Sequence, residues 1–319
     1  MSRLVVTGAA GFIGSRLSQR LLDDGHEVVG IDGFTDTYDP GEKLARAAVL
    51  VRHPAFTLVS GHLADLTLPE HIAGAEVVFH LAGRAGVRAS FTLESRYRHD
   101  NVTSTAALVE ACRQSPTVRR LVYASSSSVY GDAALPFRED GPTGPVSPYG
   151  MSKLEAERVC LAADGPDLEC VALRYFTVYG PGQRPDMGLR IFAEAAWDHQ
   201  PLVVFGDGSQ SRDFTYVDDI VEATHRAATA PVAGLAVNIG GGSRVSIRQV
   251  LDLLSEAIGE PLRVRLGPFA RGDVLHTEAD LSRAEQLMGF RASTPFSVGY
   301  RAEIEWVRSL RIEGSRRSA

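Results

Sequence analysis

The segment SPYGMSK places Tyr149 and Lys153 four residues apart, directly after Pro148 and at the start of a helical pattern. Residues i and i+4 lie on one helix face, about 6 Å apart along the axis. An ammonium group beside a phenol favours the phenolate, so Lys153 is expected to lower the pKa of Tyr149 from about 10 towards neutrality. A tyrosinate can remove the proton of an alcohol as hydride leaves its carbon. The same spacing also occurs often on exposed helix faces, so the pair needs further support.

A serine-rich segment, ASSSSVYG at residues 124–131, follows a predicted buried strand. Parallel-sheet enzymes bind ligands outside the carboxyl ends of their strands. A hydroxyl at this place could share the hydrogen bond of a substrate hydroxyl with Tyr149. The alternative is a serine-rich turn without a chemical role.

The segment TGAAGFIGS at residues 7–15 spaces Gly8, Gly11 and Gly14 three residues apart, between a predicted strand and a predicted helix. Glycines permit a tight turn and the close approach of a pyrophosphate, and the helix N-terminus supplies unpaired N–H groups. The spacing is GxxGxxG rather than the common GxGxxG. The context of the turn nevertheless favours dinucleotide binding.

Asp32 lies eighteen residues after Gly14, at the end of the second predicted strand. A carboxylate there can accept hydrogen bonds from both adenosine ribose hydroxyls and would repel a 2′-phosphate, which favours NAD over NADP. A solvated turn aspartate is the alternative. Asp65, in HLAD at 62–65, is expected either to cap the adenine edge or to serve as a helix N-cap.

The elements that must position these residues alternate between short β-branched runs and helical patterns. This alternation predicts parallel pairing with right-handed crossovers, and therefore an α/β fold with a doubly wound parallel sheet. The predicted strands span residues 4–7, 27–32, 56–60, 77–81, 121–125 and 169–174. The predicted helices of this half span residues 12–22, 43–51, 102–112 and 149–162.

The pattern changes after Arg174, where loops lengthen and carry glycine and proline. Helices are predicted at 189–197, 218–228 and 247–258, interleaved with short strands, which indicates a smaller α/β region. We predict a first domain of residues 1–174 with about 214–240 returning to it. The second domain comprises 175–213 and 241–310, and residues 311–319 form a polar, frayed tail.

Composition narrows the class of protein further. The chain has 319 residues, of which 44% are hydrophobic and 23% charged, with a net charge of −6. These values suit a large core and argue against nucleic acid as the main partner. Apolar runs are too short to span a bilayer. The three scattered cysteines suit a reducing, cytoplasmic location. The nine histidines show no metal-ligand spacing, so no metal is predicted, and His80 is expected to be structural.

Together, TGAAGFIG, Asp32, HLAG at 80–83, SSSSVYG and SPYGMSK resemble the extended short-chain dehydrogenase/reductases, and more narrowly the nucleotide-sugar epimerases and dehydratases. The resemblance covers essentially the whole chain. It implies a Rossmann-type domain that holds NAD and a smaller domain that holds a nucleoside diphosphate sugar. Gly83 departs from the alanine usual in the family, with little expected consequence.

The resemblance also assigns residues. It implies that Ser126 is the catalytic hydroxyl, Tyr149 the base, and Lys153 the ribose-binding lysine that tunes Tyr149. Asn101 matches an asparagine on the helix beside the active site, and Phe176 matches a residue near the nicotinamide. The full set of implied cofactor residues is Gly8, Gly11, Phe12, Ile13, Gly14, Asp32, Asp65, Leu66, Leu81, Ala82, Asn101, Ser125, Tyr149, Lys153 and Phe176.

The residues after Ser126 discriminate between reactions. Related 4,6-dehydratases carry an Asp–Glu pair there, and related UDP-glucuronate decarboxylases carry a glutamate at the second position. This chain has Ser127 and Ser128 instead. Without a carboxylate to act as acid or base, elimination has no evident agent. Oxidation at carbon 4, rotation of the 4-keto sugar and return of hydride to its opposite face then remain.

The segment FTVYGPGQRPDM at 176–187 resembles the corresponding part of UDP-glucuronate 4-epimerases, which implies that Thr177 and Arg184 meet the sugar carboxylate. A surface or diphosphate-binding role is the alternative for Arg184. With Ser127 and Ser128, these residues could restrain a 4-keto uronate from losing carbon dioxide. The expected reaction is the interconversion of UDP-glucuronate and UDP-galacturonate. A UDP-glucose/UDP-galactose 4-epimerase, a decarboxylase and a non-catalytic NAD-binding regulator stay open.

Family matches extend to the nucleotide end of the substrate and to assembly. Arg212 and Arg271 match diphosphate contacts, and Asp273 matches a uridine ribose contact. A homodimer is also implied, in which the helices predicted at 102–112 and 149–162 pair with their symmetry mates. The remaining implied substrate-binding residues are Arg88, in a substrate loop, and Arg190 and Val204, around the uracil.

Overall fold

The computed structural model describes residues 1–269 and 272–317. Within these residues, the strands form a seven-stranded, a three-stranded and a two-stranded sheet. In chain order they are β1 (Arg3–Thr7), β2 (Glu27–Asp32), β3 (Phe56–Ser60), β4 (Val77–His80), β5 (Arg120–Ser126), β6 (Glu169–Tyr175), β7 (Thr177–Tyr179), β8 (Leu202–Phe205), β9 (Ser211–Tyr216), β10 (Ala236–Ile239), β11 (Arg244–Ser246) and β12 (Val264–Gly267).

Helices cover both faces of the large sheet and pack around the smaller ones. Short 3-10 helices occupy Leu63–Asp65 and Ser127–Val129, and a π-helix occupies Arg98–Thr103. The α-helices are α1 (Phe12–Asp23), α2 (Pro40–Leu50), α3 (Leu68–Ile72), α4 (Val87–Ser90), α5 (Glu94–Tyr97), α6 (Ser104–Gln114), α7 (Pro148–Ala162), α8 (Gly188–Trp197), α9 (Val217–Arg226), α10 (Ile247–Ile258), α11 (Ser282–Met288) and α12 (Phe296–Arg317).

The large sheet is parallel throughout, in the order β10-β6-β5-β4-β1-β2-β3. Alternate strand residues enter two separate cores: Val6 and Phe79 pack on one face, and Val5 and Val78 on the other. Burial on both faces explains why these strands are continuously apolar. The predicted doubly wound α/β fold is confirmed. The strand order reverses between β1 and β4, and ligands of such sheets bind at this switch point.

The smaller sheets have the orders β11-β9-β7 and β12-β8. Their core includes Leu189, Phe214, Leu254 and Ile304, from α8, β9, α10 and α12. The predicted division into domains stays a prediction, and the packing differs from it at two points. Phe214 packs in the smaller core, whereas the segment around Ala284 packs beneath the large sheet.

The C-terminal segment differs from the predicted frayed tail, because α12 continues to Arg317. Ile304 and Val307 anchor the helix in the smaller core, and Arg311 extends the attachment. Its guanidinium donates hydrogen bonds to the Asp198 carboxylate and, at 2.8 Å, to the Glu194 carbonyl. No helix in the described part of the chain combines the length and the apolar character needed to cross a membrane.

Candidate active site

The glycine turn packs directly against the end of β4. Gly8 has φ +71°, and a Cβ there would lie 2.9 Å from the Ala82 nitrogen. A Cβ on Gly14 would lie only 2.1 Å from the Gly8 carbonyl oxygen, so neither position admits a side chain without displacing backbone. Gly11 caps the N-terminus of α1. The turn therefore leaves the first N–H groups of α1 open towards the cavity beside it, as a pyrophosphate requires.

Asp32 ends β2 at the wall of the same cavity and is 6% exposed. One carboxylate oxygen accepts the Ala10 N–H at 3.0 Å, and the other accepts the Phe34 N–H at 2.8 Å. These bonds fix the carboxylate against the glycine turn. Each oxygen keeps a further lone pair for a ligand hydroxyl, so the predicted ribose contact is compatible with this geometry.

One elongated cavity runs from the glycine turn across the ends of β1, β4 and β5 to the smaller sheets. It brings together most of the residues that the sequence analysis selected. These are Gly8, Gly11, Phe12, Ile13, Gly14, Asp32, Leu81, Ala82, Ser125, Ser126, Ser127, Ser128, Tyr149, Lys153, Phe176, Thr177, Arg184, Arg212 and Asp273.

Ser126 and Tyr149 face each other because α7 starts against the serine turn. The Ser126 hydroxyl accepts the Ser128 N–H at 3.1 Å, which turns the chain at the end of β5. Ser147 caps α7 by accepting the Gly150 N–H at 3.1 Å. A Cβ on Gly150 would lie 2.6 Å from the Ser128 carbonyl oxygen, so only glycine lets α7 approach this closely. Ser126 is near enough to Tyr149 to lower its pKa through a hydrogen bond.

The expected effect of Lys153 on Tyr149 is wrong for this structure. Burial raises the pKa of Tyr149, while Ser126 and the positive charge of Arg184 oppose the rise. The Lys153 ammonium instead donates a hydrogen bond to the Ala124 carbonyl and lies 4.5 Å above the Tyr123 ring. Burial also lowers the pKa of Lys153, to about 8. The cation that favours the phenolate here is Arg184.

A buried ion pair ties α7 to the sheet behind these residues. Arg174 on β6 donates to both oxygens of Glu157, with the shortest contact 2.6 Å from Nη2 to Oε1. Ser125 donates to Glu157 Oε2 at 2.5 Å, and Arg174 also donates to the Tyr130 hydroxyl at 2.9 Å. Glu157 stands one helical turn after Lys153, so the pair holds the catalytic face of α7 against β5 and β6.

His80 links the glycine turn to α6 through a chain of hydrogen bonds with a fixed direction. The Ala82 N–H donates to Thr7 Oγ1 at 3.1 Å, and Thr105 Oγ1 donates to the Asn101 carbonyl. Because the Thr105 hydroxyl proton is already used, His80 Nε2 donates to Thr105 Oγ1 at 2.8 Å. Burial lowers the pKa of His80 to about 3, so the ring stays neutral and Nδ1 accepts from Thr7 Oγ1 at 2.8 Å. The histidine thus has a structural role, as predicted.

Asn101 lies in the π-helix and does not line the cavity among the described residues. Its side-chain oxygen accepts the Arg84 N–H at 2.6 Å, and its amide donates to the Arg84 carbonyl and to Ser152 Oγ. It therefore joins the loop after β4 to α7. A Cβ on Gly83 would lie 3.0 Å from Asn101 Oδ1, which is tighter than the sequence analysis expected.

Arg184 lines the cavity together with Thr177, Ser127 and Ser128. Its Nε and Nη2 donate to the two oxygens of Asp186, at 2.9 and 2.8 Å. Burial lowers the pKa of Arg184, but the hydrogen bonds and charge of Asp186 more than compensate, and the net shift is upward. The guanidinium is thus charged and held in one orientation.

Several predicted residues lie elsewhere. Arg190 is buried and pairs with Glu42 and Glu194, at 2.7 and 2.8 Å, which leaves it outside the described cavity lining. Val204 is buried in the smaller core. Arg88 is outside the same lining but pairs with Asp273, which is in it, at 3.2 Å. Arg271 lies outside the described residues.

The adenine side of the cavity also differs from the prediction. His62 and Leu63 line it, whereas Asp65 and Leu66, three residues later, do not. The reason is that residues Leu63–Asp65 form a 3-10 helix, which turns the later residues away from the cavity. His62 also lies against His99 and Asp100, with ligand atoms within 4.8 Å, but Asp100 is already paired with Arg84 at 2.7 Å.

Lys43 was not predicted from the sequence as a site residue. Its ammonium group lies in the cavity wall beside Thr35 and Tyr38. It donates to the Thr35 carbonyl at 3.0 Å and lies 5.1 Å from the Tyr38 ring centre. Burial lowers its pKa, and Asp32 opposes the shift. Lys43 precedes the buried residues Ala47 and Leu50 by four and seven positions, so it lies on the apolar face of its helix. This position could have indicated from the sequence that Lys43 is buried.

One cavity holds a glycine turn at the switch point of the sheet, an aspartate placed to bind a ribose, and the group Ser126, Tyr149 and Lys153. This combination defines a dinucleotide-dependent enzyme that acts on a hydroxyl-bearing substrate. Residues 4–240 match the model of the NAD dependent epimerase/dehydratase family. The chain belongs to this family, as the motifs predicted.

Two relatives and one solved structure are similar over nearly the whole chain. A Bacillus subtilis protein, named "Uncharacterized UDP-glucose epimerase YtcB", is 38% identical over 97% of this chain and 98% of its own. A UDP-glucuronate 4-epimerase of Thermodesulfobacterium geofontis is 36% identical over 96% of each chain. The crystal structure of UDP-glucuronic acid 4-epimerase from Bacillus cereus, in complex with UDP-glucuronic acid and NAD, is 34% identical. It superimposes with a TM-score of 0.93 over 97% of this chain and 99% of the other.

Proposed function

We propose that this protein is an NAD-dependent 4-epimerase of UDP-sugars that interconverts UDP-glucuronate and UDP-galacturonate through a transient 4-keto sugar. The observation that carries the proposal is one cavity in which Ser126, Tyr149 and Arg184 meet, while serines occupy positions 127 and 128. The Thermodesulfobacterium geofontis and Bacillus cereus enzymes, similar over nearly their full lengths, support the same reaction.

The cavity residues suggest how the reaction proceeds. When bound, NAD would supply the acceptor for hydride from carbon 4 of the sugar and the donor for its return. The glycine turn and Asp32 fit its pyrophosphate and ribose. Tyr149 takes the proton of the 4-hydroxyl and later gives it back, and Ser126 shares that hydrogen bond. Arg212 donates to the Ser211 and Leu275 carbonyls, at 3.0 and 3.1 Å, and so keeps its charge available for a diphosphate.

Serines rather than carboxylates at positions 127 and 128 support epimerisation rather than loss of carbon dioxide. A 4-keto uronate is a β-keto acid, which decarboxylates when its carboxylate bond aligns with the carbonyl π system. Hydroxyls of Ser127, Ser128 and Thr177, with the Arg184 cation, can hold the carboxylate out of that alignment. All four residues line the same part of the chain's cavity.

A UDP-glucose/UDP-galactose 4-epimerase is the second candidate. The same Ser126 and Tyr149 chemistry serves a neutral hexose. The name of the Bacillus subtilis relative favours this alternative.

The test is to incubate the purified protein with UDP-glucuronate and, separately, UDP-glucose, without added NAD, and to separate the products by chromatography. Formation of UDP-galacturonate supports the proposal, and conversion of UDP-glucose alone supports the second candidate. Arg184→Ala should weaken binding of the uronate more than that of UDP-glucose. Equal losses would contradict the carboxylate assignment.

We also propose a homodimer and a cytoplasmic location. α7 leaves Met151 52% exposed at the surface that would meet a second copy, which favours an isologous contact of α6 and α7. Analytical ultracentrifugation tests this assembly. Cys112, Cys160 and Cys170 are buried free thiols, which suits a reducing compartment.

A further inference from the structure

The RPDM segment carries both Arg184 and Asp186. Arg184 lines the cavity, whereas Asp186 is outside the described cavity lining and its side chain is 40% exposed. Pro185 separates the two and restricts the backbone between them. Two hydrogen bonds, from Nε to Oδ1 at 2.9 Å and from Nη2 to Oδ2 at 2.8 Å, join the side chains. The side edge of the guanidinium is therefore fully used.

A guanidinium has a second edge, formed by Nη1 and the remaining N–H of Nη2. In the described part of the chain, Nη1 has no hydrogen-bond acceptor, and the other contact of Nη2 is the Met187 sulfur at 3.8 Å. A carboxylate can bind this end edge through Nη1 and through the second N–H of Nη2, where it would replace the weak sulfur acceptor. The Arg184 side chain is 17% exposed, so a ligand in the cavity can reach it while the protein shields the rest.

The loop after β4 passes next to Asp186. A Cβ built on Gly86 would lie 3.7 Å from Asp186 Oδ2, an ordinary contact distance. Tyr97 holds this loop by donating to the Ala85 and Gly86 carbonyls, at 3.0 and 2.7 Å. The loop, Asp186 and Arg184 thus form three consecutive contacts that end at the cavity.

We infer that Asp186 is a positioning residue that turns the end edge of Arg184 towards the sugar and so sets the preference for a uronate over a neutral hexose. The inference rests on the proposed function. Two effects of Asp186 oppose each other: it orients the guanidinium, and its own charge repels a substrate carboxylate. The Asp186 charge repels the substrate carboxylate from the far side of the guanidinium. The orientation that Asp186 imposes acts on the N–H groups that touch the ligand directly, so its effect on uronate binding is the larger of the two.

The experiment compares wild type, Asp186→Asn and Asp186→Ala for kcat and KM with UDP-glucuronate, and for dissociation constants with UDP-glucose and UDP. Asp186→Asn keeps the shape and one acceptor, so it guards against a folding defect in the alanine variant. We expect KM for UDP-glucuronate to rise about tenfold in Asp186→Ala, which corresponds to the loss of roughly one charge-assisted hydrogen bond. The rise should be smaller in Asp186→Asn. Binding of UDP-glucose and of UDP should change less than about twofold.

Asp198→Ala is the matched control. Asp198 accepts the same two-atom fork from Arg311, but neither residue belongs to the described cavity lining, so all ligand constants should stay at wild-type values. A lower or unchanged KM for UDP-glucuronate in Asp186→Ala, or an equal loss for all three ligands, overturns the inference. Failure of the wild type to convert UDP-glucuronate instead overturns the proposed function.

Discussion

The buried pair between Glu157 and Arg174 gives a prediction whose magnitude follows from its contacts. Their side chains are 3% and 7% exposed, respectively. Glu157→Gln removes the negative charge and turns an amide donor towards either Arg174 or Ser125, both of which already donate. Breaking a buried ion pair on one side costs about 3–5 kcal/mol. Arg174 keeps the Tyr130 hydroxyl at 2.9 Å, so we expect the lower end, about 3 kcal/mol.

Removing both charges should be less harmful than removing one. In Glu157→Leu with Arg174→Met, no buried charge is left unpaired, and apolar replacements of buried ion pairs are often nearly neutral. Ser125 loses its acceptor and Tyr130 loses one donor, while Tyr130 still donates to Asn238 at 2.6 Å. We expect a loss of about 1–2 kcal/mol for the double variant, from the unpaired hydroxyl.

Urea unfolding followed by circular dichroism at pH 7 measures the free energy of unfolding of the wild type, Glu157→Gln, Glu157→Leu, Arg174→Met and the double variant. A cost of less than about 1 kcal/mol for Glu157→Gln would refute the ion-pair argument, and so would a loss in the double variant equal to the sum of the losses in Glu157→Leu and Arg174→Met. The double variant should fold but turn over slowly, because α7 no longer has its anchor to Ser125.

Three further outcomes are expected. Burial raises the pKa of Glu303 to about 8, above the pKa of a glutamate in the unfolded chain. The folded protein therefore holds one more proton than the unfolded chain between about pH 4.5 and 8, and its stability falls as the pH rises through that window. Glu303→Gln should therefore raise the melting temperature at pH 8 more than at pH 5, with the Gly180 N–H still accepted. Gly83→Ala should destabilise the protein by about 1 kcal/mol in urea unfolding, because Asn101 must shift. Ser128→Glu should add a carboxylate beside the ketone and increase carbon dioxide release from UDP-glucuronate, measured against uronate consumed.

Each of these expectations has a clear contrary result. A melting temperature gain for Glu303→Gln that is the same at pH 5 and pH 8 would contradict the charge argument. Unchanged stability of Gly83→Ala would show that the Asn101 side chain can yield. If Ser128→Glu releases no more carbon dioxide than the wild type, the serines are not what prevents decarboxylation.

Six of the seven strands of the large sheet were predicted from the sequence, because their signals are local; β10 was not among the predicted strands. Each predicted strand is a short apolar run, and the glycine turn and the SPY start of α7 mark helix N-termini. The smaller region was harder, since β7, β11 and β12 are three or four residues long and pair with strands distant in sequence. The continuation of α12 depends on Asp198, about a hundred residues earlier, which no local pattern reveals.

For the site, residue identity was easier to predict than electrostatics. The spacing to Lys153 selected Tyr149, and the family resemblance selected Ser126 and Arg184. The structure brings these three residues into one cavity, while their assigned roles stay predictions. Motif spacing could not show that Arg190 is occupied by Glu42, because their contact spans 148 residues. Nor could it show that α7 is buried enough for desolvation to outweigh neighbouring charge at Tyr149.

Arg184 links two properties of the site that motif analysis treats separately. Its charge opposes the rise in the pKa of Tyr149, and the same guanidinium is the candidate partner of the sugar carboxylate. A uronate bound there offsets that charge, and Asp186 offsets part of it beforehand. In the proposed reaction, substrate recognition and the proton affinity of Tyr149 would therefore be coupled through one side chain. A neutral hexose leaves this charge uncompensated by substrate, so the proton affinity of Tyr149 depends on which sugar the cavity holds.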